Sequence, residues 1–295
     1  MSKERRRRVW QIIGTTLVWM AVVAFFVGAA LLRQNNEQAR TVERLKVEIT
    51  DSATHRLLSA DQVRADIVAA GLLPTGQPLD SVSLTAINDF VKSNCLVRKA
   101  QTFVDYEGTL TVRLTQRHPL LRIITDSGTD VYITAGAHVL PTQGGEPLNL
   151  PLVTGDFSLP FPRGFYGDLR AWAKEEKKNS DKNYIFLLKL INFVRLTESR
   201  PEVGGNIVQI VATQGADSAH TKGAEPTVEL IPRRGNYSVQ LGPLEDVEAK
   251  LDRWVRFVKA GVVDLGGGGT LNVAYEGQAV WRVEEAKSKT RNSKL

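Results

Sequence analysis

The chain has 295 residues, enough for about two folded domains, and its apolar fraction of 42% is too high for a disordered chain. The formal net charge of +6 comes from the ends: residues 1–8 hold five cations and one acid, and residues 287–295 hold four cations and no acid. The slightly acidic stretch between them argues against a surface that binds nucleic acid through its phosphates. A single cysteine excludes an internal disulfide, and the four histidines show no metal-ligand spacing.

An uncharged apolar segment of 24 residues covers residues 9–32, and a membrane-spanning helix needs about 20. Positive charge on its N-terminal side predicts that residues 1–8 stay in the cytoplasm and that the chain beyond this segment is exported. The small residues at 28–30 leave open a cleaved signal peptide, although the apolar region of such a peptide usually has about 7–15 residues. The sequence therefore predicts a single-pass anchor over residues 9–32.

Residues 40–117 show the pattern of a β-α-α-β-β module. Ser59 precedes the first helix as a predicted N-cap, with Gln62 three residues later, and Gly71 is predicted to end that helix in the left-handed conformation. Ser83 is predicted to cap the second helix. The three strands are predicted over residues 41–49, 95–105 and 109–116. The apolar faces of the helices are predicted to carry Val63, Ile67, Val68, Leu84, Ile87, Phe90 and Val91.

Residues 118–286 change to many short strands, so the fold class is α+β with a mostly antiparallel second domain. A loop rich in proline and glycine is predicted over residues 160–167, and a long helix over 182–196. Pro243 is predicted to lie in the first turn of a later helix, with Lys250 at its surface. The strands are predicted over residues 120–124, 130–133, 137–141, 207–212, 227–231, 237–241, 271–275 and 278–283, and residues 150–155 form a short apolar segment before the loop. Residues 287–295 are predicted to form a disordered basic tail.

No segment carries a recognisable catalytic motif. The glycine run 266–269 lacks the Lys-Ser/Thr of a phosphate-binding loop and precedes a strand, and neither a Gly-x-Ser-x-Gly nor a Ser-x-x-Lys motif occurs. His118 is predicted to end a strand. Cys95 is predicted to be a small buried side chain, with an exposed thiol as the alternative. We therefore expect no enzymatic activity, no cofactor, no metal and no small-molecule substrate.

The last predicted strand contains Trp281 and precedes a polar tail, so we expect one of its sides to have no neighbouring strand from this chain. An unpaired edge of this kind lets another protein add a strand, and Trp281 is the natural anchor for it. The alternative is that Trp281 faces inward and that the edge is covered. The predicted partner-binding residues are Tyr275, Gln278, Ala279, Val280, Trp281, Arg282 and Val283.

Five segments, taken in their order along the chain, carry a resemblance to a known family. They cover residues 116–120, 131–141, 150–155, 239–242 and 271–280. In this order they resemble the FtsQ/DivIB family of bacterial cell-division proteins. Gln116 replaces the usual glutamate of the family's Glu-Arg-x-Pro junction, and Asn272 and Ala274 replace charged residues that are often seen.

The resemblance implies that residues 40–117 are a polypeptide-transport-associated (POTRA) domain and that residues 118–286 are the family's β domain. It also implies a non-enzymatic divisome scaffold in the bacterial inner membrane, mostly periplasmic, located at the division septum and linking early and late division proteins. The terminal strand would pair with FtsB, which coils with FtsL, and the complex would regulate the FtsW–FtsI synthases. Two alternatives are a POTRA-bearing envelope assembly factor that receives exported polypeptides, and an anchored cell-wall enzyme.

Overall fold

The computed structural model describes residues 13–29, 41–51, 56–72, 75–142, 148–214, 225–262 and 268–283. Residues 13–29 are helical and are named α1. Among the described residues, no helix combines the length and the apolar character that crossing a membrane requires. The two basic ends and the outer parts of the predicted anchor lie outside the described residues. The chain divides into two compact units: unit 1 comprises Met1–Ser52 and Leu58–Gln116, and unit 2 comprises Ala53–Leu57 and Arg117–Leu295.

Unit 1 confirms the predicted β-α-α-β-β order. Its elements are β1 (Arg44–Ile49), α2 (Ala60–Ala69), a short 3-10 turn (Leu79–Ser81), α3 (Leu84–Ser93), β2 (Val97–Val104) and β3 (Thr109–Gln116). The three strands form one sheet in the order β1-β3-β2, in which β1 is parallel and β2 antiparallel to the central β3. The last strand in sequence therefore lies in the middle of the sheet.

Both helices of unit 1 begin at the predicted serine caps. The Ser59 hydroxyl accepts a hydrogen bond from the Gln62 amide at 3.1 Å, and Ser83 accepts one from the Ala86 amide at 3.2 Å. These bonds satisfy amides that have no partner within the helix. Gly71 has a φ of +70°, which confirms the predicted left-handed end of α2.

Two side chains of unit 1 are more exposed than predicted. Val68 is 46% exposed, whereas Ile67 is fully buried, because consecutive helix residues are rotated by about 100° and only one can face the core. Cys95 is only partly buried, since it lies in the turn between α3 and β2 and Leu96 fills the core position there.

Unit 2 contains one large sheet and three helices within the described residues. The elements are β4 (Pro119–Thr125), β5 (Asp130–Thr134), β6 (His138–Pro141), β7 (Leu152–Gly155), β8 (Gly167–Asp168), α4 (Leu169–Glu175), α5 (Lys182–Glu198), β9 (Ile207–Thr213), β10 (Thr227–Pro232), β11 (Tyr237–Gly242), α6 (Val247–Lys259), β12 (Gly269–Asn272) and β13 (Val280–Val283). The ten strands lie in the order β13-β12-β11-β10-β9-β7-β4-β5-β6-β8. Three neighbouring pairs are parallel, namely β4–β7, β7–β9 and β11–β12, and the others are antiparallel. The sheet is therefore mostly antiparallel, as predicted.

The sheet is assembled from two halves, each continuous in sequence, that meet where β7 pairs with β9. This parallel ladder joins Leu152 to Gln209, and two further pairs follow it. Gly155 ends β7 with a φ of +119°, and a Cβ atom at this position would lie 2.1 Å from the Ala212 carbonyl oxygen. A glycine is therefore required for the two halves to approach this closely.

Helix α5 supplies much of the core of unit 2 and packs against β4. The Asp181 carboxylate caps it by accepting hydrogen bonds from the amides of Asn183 and Tyr184, at 2.8 and 3.2 Å. Eight of its side chains are buried, which is more than one face of a surface helix provides. These are Tyr184, Phe186, Leu187, Leu190, Ile191, Phe193, Val194 and Thr197.

The prediction for the start of α6 was wrong. The helix begins at Val247, after Asp246 with a φ of +48°, so Pro243 lies outside its first turn. Residues 243–246 bend before the helix, and the Leu244 side chain among them is buried in the core. Lys250 was predicted at the surface but is only 5% exposed, and its Nζ donates to the Pro243 carbonyl at 2.7 Å. Burial lowers the pKa of this ammonium group.

The segment predicted as a proline- and glycine-rich loop leads into regular structure. Residues Gly167 and Asp168 form β8, and α4 follows directly. The Asp168 carboxylate accepts hydrogen bonds from the Arg170 and Ala171 amides and thereby caps α4.

Candidate functional site

Strand β13 lies at one edge of the ten-stranded sheet. It pairs with β12 in an antiparallel ladder of four residue pairs that runs from Gly269–Val283 to Asn272–Val280. Within the part of the chain that the structure describes, no strand pairs with its other side. Alternate residues of such a strand direct their N–H and C=O groups away from the sheet, where another chain can use them.

The edge strand is shorter than predicted, because it starts at Val280 and not at Gln278. Residues 273–279, which include Tyr275, Gln278 and Ala279 of the predicted site, form the connection between β12 and β13. Local hydrogen bonds form within this connection: the Gln278 amide donates to the Tyr275 carbonyl at 3.4 Å, and the Ala274 amide donates to the Asn272 side chain at 2.9 Å. The amides of Ala274 and Gln278 therefore have partners close by in the sequence, outside the β12–β13 ladder.

Exposed side chains surround this edge. Val280 lies opposite Asn272 on the face of the sheet that points away from the core, and it is 41% exposed. Val283 and Tyr275 are 64% and 63% exposed, and Arg282 is exposed as well. The edge therefore offers a mainly apolar surface with one cationic side chain beside the free backbone groups.

Trp281 faces the opposite way, toward the core. It lies opposite the fully buried Leu271 and is itself partly buried. Its ring meets the Tyr237 ring edge-on, with 6.2 Å between centroids and an interplanar angle of 68°. A Cβ atom at Gly269 would lie 2.6 Å from the indole, so the indole rests directly on the glycine backbone. Trp281 therefore faces inward, which is one half of the alternative stated in the sequence analysis. The other half, a covered edge, does not hold among the described residues, because no strand pairs with the outer side of β13.

The contacts of Trp281 continue into helix α6. Trp254 of that helix is buried, and its Nε1–H donates to the Tyr237 hydroxyl at 3.1 Å. Burial raises the pKa of the Tyr237 phenol, and the hydrogen bond from Trp254 opposes this only in part. The phenol therefore stays neutral and available as an acceptor at physiological pH.

A histidine–carboxylate pair that the sequence did not reveal lies at the other edge of the sheet. His138 of β6 and Asp168 of β8 are paired in the ladder, with Nε2 3.8 Å from the carboxylate oxygen. Burial, followed by the nearby Arg117 cation, lowers the pKa of His138, and Asp168 opposes this. The imidazole is therefore mostly uncharged at neutral pH. Among the described residues, no group of three or more His, Cys, Asp or Glu side chains is placed to hold a metal ion.

A groove of about 910 Å³ runs beside β1 in unit 1. Three of its charged side chains form ion pairs: Glu48 contacts Lys46 at 2.7 Å and Arg113 at 3.0 Å. Hydrogen bonds from Lys46 and Arg113 lower the pKa of Glu48, so this carboxylate stays charged and paired. Such a carboxylate is poorly suited to act as a general base at neutral pH.

Comparison with known families gives two matches. A model described as a POTRA-like domain matches residues 40–115, and a model described as FtsQ/DivIB, C-terminal related, matches residues 118–281. No curated protein matches the chain. The second match covers more than half of the sequence. It extends from the residue before β4 to Trp281 in the edge strand. On this evidence the chain belongs to the FtsQ/DivIB family of cell-division proteins.

Proposed function

We propose that the protein is a non-enzymatic divisome scaffold that binds an FtsB/FtsL-type complex through the open edge of β13. Family membership supports a role in cell division. The observation that carries the finer proposal is the position of β13, which has one neighbour in the described sheet and exposed side chains on its outer face. Through this complex the protein would act indirectly on FtsW/FtsI-type synthases and link early with late division proteins.

A partner segment would extend the ten-stranded sheet by one strand. Backbone hydrogen bonds would supply a share of the affinity that depends little on sequence, and side chains at alternate positions would add specificity. Val280 presents part of a valine surface, whose full burial is worth about 1.5–3 kcal/mol. Arg282 is exposed, so an ion pair with an acidic partner residue would add about 0–1 kcal/mol.

We further propose a single-pass anchor over residues 9–32, with residues 1–8 in the cytoplasm and the two domains, 40–117 and 118–286, in the periplasm. The uncharged stretch of 24 residues and its basic N-terminal flank support this topology. In this arrangement the β13 edge is accessible to periplasmic segments of other single-span proteins at the septum.

Two valines with matched exposure give a direct test. Val280 in β13 is 41% exposed, and Val208 in the interior strand β9 is 40% exposed. We expect Val280→Asp and Val280→Pro to reduce capture of the FtsB/FtsL-type complex by the membrane-embedded full chain at least about tenfold, as loss of about 1.4 kcal/mol would do. Val208→Asp should leave capture unchanged.

Normal capture by both Val280 variants would refute the edge-strand proposal. Photo-crosslinking from position 280 in dividing cells provides an independent check, because a small single-span coiled-coil protein is expected in the adduct. An exported outer-membrane protein in its place would support the assembly-factor alternative.

A further inference from the structure

Beyond the backbone ladder with β12, the packing of β13 on the core of unit 2 is concentrated in one side chain. The strand has four residues and, among the described residues, one neighbouring strand, and such a short hairpin arm is marginally stable by itself. Val280, Arg282 and Val283 are exposed, whereas Trp281 is partly buried and packs against the core. The attachment of the edge therefore depends mainly on Trp281.

The Trp281 indole is held from two directions. The edge-on Tyr237 ring supports it on one side, and the hydrogen bond from Trp254 fixes that tyrosine to α6. On the other side the indole lies on Gly269, where any side chain would occupy the same space, since a Cβ atom would approach it to 2.6 Å. A continuous set of contacts thus connects α6 to the edge strand, through Trp254, Tyr237, Trp281 and Gly269.

We infer that Trp281 is a positioning residue, which keeps β13 in the sheet so that its outer edge can accept a partner strand. The inference rests on the proposed function for the partner, but the attachment of β13 can be measured without one. This positioning role differs from the role predicted from the sequence, in which the Trp281 side chain itself anchors the partner. Loss of partner binding in a Trp281 variant would then follow from loss of the edge and not from loss of an interfacial contact.

Hydrogen exchange of the full chain in detergent, without a partner, tests the attachment. Trp281→Ala should accelerate exchange of those β13 amides that bond to β12 at least about tenfold and leave the β9 and β10 amides unchanged, because opening is local. Trp281→Phe keeps an aromatic ring against Tyr237 and should restore protection to within about threefold of the parent. If Trp281→Ala leaves β13 exchange within about twofold of the parent, the inference is wrong.

A disulfide that replaces the indole distinguishes two possible roles of Trp281: holding β13 in the sheet, and contacting the partner directly. Leu271 and Trp281 are opposite each other in the ladder, and such antiparallel pairs have Cα atoms about 4.5–5.5 Å apart, within the range of a disulfide. The variant carries Leu271→Cys and Trp281→Cys in a Cys95→Ser background. It contains no indole at position 281 in either redox state, so the two states differ only in whether β13 is covalently held.

The oxidised variant should capture the FtsB/FtsL-type complex to within about threefold of the parent, and the reduced variant should lose capture at least about tenfold. If the oxidised variant shows parental protection of β13 and still fails to capture the complex, the indole itself contacts the partner and the inference is overturned. Failure of the parent chain to capture the complex would refute the proposed function, while the exchange measurement would still decide the role of Trp281.

Discussion

Replacing Gly155 with alanine should destabilise unit 2 much more than the same change at Gly164. A non-glycine residue at the φ of +119° found at Gly155 costs about 1–3 kcal/mol. The added Cβ would also lie 2.1 Å from the Ala212 carbonyl oxygen, and separating β7 from β9 to relieve this overlap costs about 1–3 kcal/mol more. Gly164 has a φ of +80° with open space around it, so its substitution costs about 1–2 kcal/mol.

The difference in the free energy of unfolding between the two variants reports the energetic cost of the Cβ overlap where the two sheet halves meet. Urea unfolding of the full chain, followed by tryptophan fluorescence, reports on unit 2 because Trp254 is buried there. We expect Gly155→Ala to lower the free energy of unfolding of this unit by about 1–3 kcal/mol more than Gly164→Ala does, since backbone strain is common to both variants and only Gly155 adds the overlap with Ala212. A difference below about 0.5 kcal/mol, the size of an ordinary surface effect, would refute the reasoning.

Two further predictions concern pH. Because burial lowers the pKa of Lys250 in the folded state below its ordinary 10.5, unfolding takes up a proton between the two values, and the free energy of unfolding should rise with pH in that range. Lys250→Met should abolish this rise, measured as the difference between parent and variant in urea unfolding at several alkaline pH values. Hydrogen bonds from Arg122, at 2.9 and 2.6 Å, lower the pKa of Asp130 in the folded state below its ordinary 3.8. The contribution of this ion pair to the free energy of unfolding is therefore fully present above pH 3.8 and is lost as the pH falls through the lower, folded-state pKa. Asp130→Asn should therefore cost at most about 1 kcal/mol at neutral pH, since both side chains are about one-third exposed, and progressively less in acid.

Local signals in the sequence were sufficient for much of unit 1. Ser59 and Ser83 cap their helices with hydrogen bonds to residues three positions away, so the information lies within a few residues. The alternating apolar residues of β3 likewise predicted its full extent, Thr109–Gln116. The parallel pairing of β1 with β3 brings together residues that are 65 positions apart, and no local pattern specifies such a pairing.

The errors occur where tertiary contacts override local preference. Lys250 is buried because the Pro243 carbonyl receives its ammonium group, and the turn that positions that carbonyl also delays the start of α6. Charged residues are normally exposed, so the sequence alone favours the surface for such a lysine. The predicted site shows the same limit: the sequence placed a terminal strand around Trp281, but the side to which the indole points depends on Gly269 and Tyr237.

The shortness of the β12–β13 ladder gives the edge a direction-dependent mechanical strength. A pull across the strands opens the four residue pairs one after another, whereas a pull along β13 loads all four at the same time. A partner attached as an added strand would therefore resist tension along its own axis and detach under tension at right angles to it. If the protein acts at the division site as proposed above, the orientation of this edge relative to the applied force would determine how long the connection lasts.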